Sequence, residues 1–162
     1  MVVPLTNEIQ QWFVCLEGGS VADNEEEIDG VVASAVDALT PIVKTWKESK
    51  DNALYQDKTS PFVVTFSENS VLVQEALTHM APLLIEYPEG IPEEIVSIYI
   101  QAHECITKLF ISFKKMAETI SQGVLSDEWF ANLDSVNINI EEYEQWEEER
   151  KDFLSQLVDF LK

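Results

Sequence analysis

The feature that most constrains this fold is an uninterrupted helical pattern over about residues 92–122. Pro92 fits the first turn of a helix, where the missing N–H of proline does no harm. Glu93 and Glu94 follow it and favour the positive end of the helix dipole. Gly123 comes directly after the last turn, where glycine commonly ends a helix. The sequence therefore predicts a helix of about thirty residues here.

The apolar residues of this helix predict where it lies in the fold. Its main apolar face recurs at helical spacing and consists of Ile98, Ala102, Cys105, Ile106, Leu109, Phe113, Met116 and Ile120. A second stripe consists of Val96, Ile100 and Ile111. A helix that is apolar on two sides is expected to pack between neighbours, so we expect a central helix of a bundle.

Other segments of the chain have the same periodicity. Helical patterns cover about residues 7–17, 24–50, 70–87, 126–133 and 139–161. Pro41 should kink or break the second of these, and Pro82 should kink the third. We expect an all-α fold, an irregular bundle of five to six helices with a long central helix (about 92–122) and an amphipathic acidic C-terminal helix (about 139–161).

Residues 51–69 are the hardest to interpret. Ser60 and Pro61 fit the start of a helix. The segment from Phe62 to Phe66 is rich in valine and threonine, which favour extended structure. We predict a loop or extended segment there, with the next helix beginning near Ser70.

Composition limits the class of protein. A chain of 162 residues predicts one domain over 1–162, and its 46% apolar residues are enough for a core. Thirty acids against ten bases give a net charge of −20, which repels nucleic acid and anionic lipid. No segment looks like a signal peptide or a membrane span. Cys15 and Cys105 predict two buried, reduced thiols, so we expect a cytoplasmic protein.

The charges are segregated along the chain. Residues 1–43, 59–107 and 116–149 carry eight, seven and ten acids and no lysine or arginine. Helices whose charged residues serve only to keep the protein soluble usually carry positive and negative side chains in alternation, because oppositely charged pairs four residues apart are mildly stabilising. Large parts of the surface should therefore attract basic partners and repel acidic ones.

The last helix concentrates this charge. Residues 140–150 contain six glutamates, yet Ile140, Tyr143 and Trp146 recur every third position. The simplest interpretation is a solvated helix face. The alternative is a partner-binding acidic face, whose candidate residues are Glu141, Glu144, Glu148, Glu149 and Asp152.

Arg150 is the sole arginine and falls within the apolar half of the same helix, near Trp146. These two residues are candidate anchors of an interface, or the guanidinium forms a buried fork that binds a carboxylate. The structural alternative is an arginine whose stem packs against apolar neighbours and whose head reaches solvent or stacks on Trp146.

Catalytic and metal chemistry find little support in the sequence. No phosphate-binding, dinucleotide-binding or nucleophile-elbow motif is present, so we expect no enzyme and no cofactor. The two histidines lack the spacing of a di-iron bundle. If a metal site existed, its members would be Glu75, His79, His103 and Glu104.

These observations lead to three functional hypotheses. The first is a non-enzymatic, acidic binding module that occupies a basic surface on a partner protein, as an inhibitor or antidote, as a nucleic-acid mimic, or as an adaptor or chaperone. The second is a structural or regulatory subunit that self-associates, for example as a homodimer, through its last helix. The third is a metal-binding helical bundle.

Overall fold

The computed structural model describes residues 7–20, 27–50, 60–122 and 127–161. In these residues the chain forms five helices, which are α1 (Asn7–Glu17), α2 (Val31–Ser49), α3 (Pro61–Ile85), α4 (Glu93–Gln122) and α5 (Asp127–Leu161). Two short strands, β1 (Gly19–Ser20) and β2 (Glu27–Ile28), pair antiparallel between α1 and α2. The predicted all-α bundle is confirmed. Within the described residues, none of the helices has the length and apolar character needed to cross a bilayer.

The four long helices meet at one buried aromatic cluster. Trp46 near the end of α2 contacts Phe62 at the start of α3, with ring centroids 5.5 Å apart. Phe113 of α4 lies 5.4 Å from Phe62, and all three side chains are fully buried. The Trp46 indole N–H donates to the side-chain oxygen of Asn137 on α5 over 3.2 Å. One end of the bundle is thus fixed by aromatic packing and one tertiary hydrogen bond.

α4 confirms the predicted long helix. Its main face forms much of the core, with Ile106, Leu109 and Phe113 completely buried. The prediction of a second buried stripe is wrong for Ile100 and Ile111, which are 42% and 48% exposed. The helices α3 and α5 provide most of the packing on α4 and leave this side open.

The start of α3 corrects the prediction for residues 60–69. The helix begins at Pro61, and the Ser60 hydroxyl accepts a hydrogen bond from the Val63 backbone N–H over 3.2 Å. This N-cap and the proline at the first helical position outweigh the extended preference of the valines that follow. Residues 51–59 lie outside the described part of the chain.

α5 corrects a second boundary. Two helices were expected, over 126–133 and from about 139, but Asp127–Leu161 is one continuous helix. The intervening asparagines have weak helix propensity, and both make contacts with other helices. Asn137 accepts from Trp46, and the Asn139 amide donates to the Ser112 hydroxyl over 2.8 Å. These contacts hold the segment helical.

α2 begins later than its pattern suggests. Ile28, expected within a helix from about residue 24, pairs instead with Gly19 in the short hairpin, while residues 21–26 lie outside the described part. The helix starts at Val31 and continues through Pro41, as α3 continues through Pro82. Neither proline breaks its helix.

Candidate functional site

The predicted acidic face lies on the solvent side of α5. All five candidates are exposed, namely Glu141, Glu144, Glu148, Glu149 and Asp152. The apolar stripe of the same helix points into the bundle, where Val136, Ile140 and Tyr143 are buried. The helical periodicity of the sequence therefore separates the two sides as expected. The carboxylates are accessible to a partner.

One carboxylate of this face has a partner on another helix. Lys47 Nζ of α2 lies 2.5 Å from Glu144 Oε1, with both side chains 47% exposed. Lys47 and Lys50 face Glu141 and Glu144 across a shallow groove between α2 and α5. The lysines of α2 thus balance part of the negative charge of α5, although few lysines lie on α5 itself. An exposed pair of this kind contributes only about 0–1 kcal/mol.

Trp146 and Arg150, the candidate anchors, are both buried. Their relative exposures are 4% and 8%. The Arg150 guanidinium lies 5.3 Å from the centre of the Trp146 ring, and the Trp146 indole N–H donates to the Ile98 carbonyl over 3.1 Å. The stacking predicted in the structural alternative is therefore present. The two side chains face the interior of the bundle and contribute little to its outer surface.

The arginine also grips a carboxylate, as the other alternative expects. Arg150 Nη1 donates to Glu17 Oε2 over 2.7 Å, and the two side chains are each 9% exposed. Glu147 lies farther away, with its Oε1 3.8 Å from Arg150 Nη2. The contact is intramolecular and joins the end of α1 to α5. It is a single hydrogen bond rather than the expected fork, because Arg150 Nε and Glu17 Oε1 have no hydrogen-bond partner among the described residues. Such pairs lose most of their solvation, so their geometry decides whether they stabilise.

Glu17 is the residue of this cluster that the sequence reasoning missed. It is the last residue of α1, where a carboxylate is disfavoured by the helix dipole. Its position at the carboxyl end of the predicted first helix was the available signal that it needs a cation. Gly30 packs against the backbone at the end of α1, since a Cβ on Gly30 would lie 2.2 Å from the Gly18 nitrogen. A larger residue at position 30 would therefore displace the end of α1, which carries Glu17.

Two tyrosines complete this buried polar cluster. Burial raises the pKa of Tyr99 well above its ordinary value, and the nearby Glu17 carboxylate raises it further. Burial also raises the pKa of Tyr143, with the charge of Glu147 as the next cause. Both hydroxyls therefore stay protonated in the folded protein.

The buried polar cluster is not fully hydrogen-bonded. Within the described residues, the Tyr143 hydroxyl, Arg150 Nε and Glu17 Oε1 have no hydrogen-bond partner. Each buried polar atom left without a partner costs about 1–3 kcal/mol. These atoms therefore offset part of what the Arg150–Glu17 pair contributes to stability.

The candidate metal ligands do not come together. Glu75 and His79 share a groove of about 400 Å³ between α2 and α3, with Asp29 and Asp37 on its other side. Across the described residues, no three histidine, cysteine, aspartate or glutamate side chains are grouped to hold a metal ion. His103 is half-buried and the adjacent Glu104 is exposed, as expected for neighbours on a helix.

The cysteines differ in part from their prediction. Both are free thiols, but Cys15 is exposed rather than buried, and Cys105 is half-buried. Burial raises the pKa of the Cys105 thiol, and the Glu142 carboxylate adds to this rise. A thiol with a raised pKa is a poor nucleophile at neutral pH. The surroundings of Cys105 therefore give no support to nucleophilic catalysis.

Comparison of the chain with protein-family models, curated proteins and solved structures found no match.

Proposed function

We propose that this chain is a non-enzymatic binding module whose acidic α5 face occupies a basic surface on a partner protein. The partner would be blocked, as by an inhibitor, an antidote or a nucleic-acid mimic, or it would be carried, as by an adaptor or chaperone. Dense carboxylates steer a basic protein towards its binding site and speed association at low ionic strength. A cytoplasmic location is part of the proposal, supported by the two free thiols.

The observation that carries the proposal is the pairing of the nearby cations. Arg150 is bound to Glu17, and Lys47 to Glu144. Lys151 Nζ lies 3.6 Å from Glu147 Oε1. Among the described residues, no ion pair involves the exposed carboxylates Glu141, Glu148 and Asp152. The charge of Glu148 and Asp152 is thus left for a partner to neutralise, while Glu141 also faces Lys50 across the groove between α2 and α5.

The experiment compares two variants that each remove three exposed carboxylates. The face variant carries Glu141→Gln, Glu148→Gln and Asp152→Asn. The control variant carries Glu104→Gln, Glu118→Gln and Asp134→Asn, all exposed residues outside this face. Both keep the Lys47–Glu144 pair and change the net charge equally. Circular dichroism checks that each remains helical.

Immobilised wild-type protein and both variants are used to capture basic proteins from cell extract at low salt. The captured protein is then purified and titrated with each form. We expect the face variant to bind at least about tenfold more weakly, since three charge contacts are lost, while the control binds like wild type. Equal loss in both variants would mean non-specific attraction to net charge. Unchanged binding by the face variant would mean that these three carboxylates are only solvated and do not contact the partner.

A further inference from the structure

A shallow groove between α4 and α5 differs in chemistry from the acidic surface around it. It has a volume of about 350 Å³, and none of the described residues that line it is a carboxylate. Lys108 and Lys115 lie along its α4 side, both exposed, and neither forms an ion pair within the described residues. Between them are the exposed side chains of Ile111 and Ile138, which are 48% and 55% accessible. The groove thus presents an apolar centre between two positive charges.

A strip on α3 has the opposite charge pattern. Glu68 and Glu75 are exposed and lie seven residues apart on one side of this helix. Val71 and Leu72 lie between them and are 58% and 53% exposed. α3 is also the most apolar of the five helices, although part of its apolar surface faces solvent. Helices of such composition are usually covered on all sides, so this strip lacks a neighbour.

The two surfaces match in charge, apolar content and spacing. Seven residues of α-helix span about 10.5 Å, so the two lysines and the two glutamates are separated by the same distance along their helices. We propose that the α3 strip of one copy of this chain docks in the α4/α5 groove of a second copy. In this contact both glutamates reach lysines, while Val71 and Leu72 cover the exposed isoleucines. The arrangement is that of an amphipathic helix in a groove.

The α3 strip fits the groove better than the acidic face of α5 does. Glu141 and Glu148 are also seven residues apart, but Glu144 and Gln145 lie between them, so that face has no apolar centre. Leu72 and Glu75 line the separate groove between α2 and α3. The strip and the lysine groove therefore belong to different sides of one molecule and meet only between copies.

A contact between two different surfaces is heterologous, so it adds copies in a row unless a ring closes. The contact is short and buries less than the roughly 800 Å² per partner of a standard stable interface, so association is weak and rises with concentration. It leaves the acidic α5 face free. An assembly of several copies carries several such faces, which increases its avidity for a basic surface. The inference stands on the two surfaces alone and does not depend on the proposed basic partner.

Sedimentation equilibrium on the full chain tests this contact. The groove variant carries Lys108→Glu and Lys115→Glu, and the strip variant carries Glu68→Lys and Glu75→Lys. The matched control carries Lys44→Glu and Lys151→Glu, two exposed lysines that do not line the groove. It changes the net charge as much as the groove variant does. A Leu72→Ser variant removes apolar area without altering charge.

We expect the average mass of wild type and control to rise above the 18.4 kDa of the monomer as concentration increases. The groove and strip variants should each associate at least about tenfold more weakly, because like charges then face each other. Mixing these two variants should restore association, since each reversed surface again meets its opposite. Leu72→Ser should weaken association without this rescue.

Three results would overturn the proposal. The first is a wild type that stays monomeric throughout, which would leave the groove to an acidic helix of another protein. The second is a control that loses association as fully as the groove variant. The third is a mixture of the two reversed variants that remains monomeric although circular dichroism shows both folded.

Discussion

Removal of the Arg150 side chain tests the buried polar cluster most sharply. The guanidinium is 2.7 Å from Glu17 and stacks on Trp146 at 5.3 Å. Arg150→Ala leaves the Glu17 carboxylate buried without its cation, and breaking a buried pair in this way costs about 3–5 kcal/mol. Domains of this size have free energies of unfolding of about 5–15 kcal/mol, so the loss should be a large fraction of the total.

Urea unfolding followed by circular dichroism measures this loss. Lys47→Ala is the matched control, because its pair with Glu144 is 47% exposed on both sides and should contribute at most about 1 kcal/mol. The double variant Glu17→Leu with Arg150→Met replaces the pair with apolar side chains of similar size. It should regain most of the stability lost in Arg150→Ala, since no buried charge remains.

Two outcomes would refute this reasoning. If Arg150→Ala lost no more stability than Lys47→Ala, the pair would not be buried in solution. If the double variant were as unstable as the single one, an uncompensated charge on Glu17 would not be the cause of the loss. A double-mutant cycle that includes Glu17→Leu alone gives the coupling energy between the two residues.

Three further predictions concern stability. Leu109→Ala should cost about 2–5 kcal/mol in urea unfolding because Leu109 is fully buried, whereas Lys115→Ala on the exposed side should change stability by under about 0.5 kcal/mol; equal costs would contradict the assigned face. Tyr99 and Tyr143 have pKa values in the folded protein above the unfolded value of about 10. The free energy of unfolding should therefore be unaffected by ionisation of these tyrosines below about pH 10, and above it each should lower that free energy by about 1.4 kcal/mol per pH unit. Phenylalanine at either position should flatten the alkaline decline in unfolding free energy, and phenylalanine at exposed Tyr87 should not. Added salt should raise the melting temperature, because it screens the repulsion behind a net charge of −20; a falling melting temperature would show that ion pairs dominate.

The sequence predicts those features of the fold that depend on local periodicity. The bounds of α4 are right within about a residue because its pattern is long and its end signals are clear. The start of α3 differs from the prediction because the Ser60 N-cap and Pro61 at the first helical position outweigh the strand preference of the valines and threonine that follow. In α5, Asn137 and Asn139 are weak helix formers that are held by partners on α2 and α4, which no local pattern reveals.

The candidate site depends even more on distant pairing. The sequence places Glu148 and Asp152 on a solvent-facing side of α5, as the structure does. It does not reveal that Lys47 neutralises Glu144, or that Arg150 meets Glu17 across 133 positions of the chain. Charge balance in a helical bundle is a property of adjacent faces rather than adjacent residues. A charge that has no partner on its own helix can therefore be paired with a side chain of a neighbouring helix.

The most direct test of the central claim is the association rate of the captured basic protein, measured by stopped flow across a range of ionic strength. For wild type we expect a fast rate at low salt that falls steeply as salt is added, because unpaired carboxylates on α5 steer the encounter. The variant that lacks Glu141, Glu148 and Asp152 should associate more slowly and with a flatter salt dependence, while the dissociation rate changes little. A variant with the same rate and the same salt slope as wild type would contradict the claim that this face binds the partner.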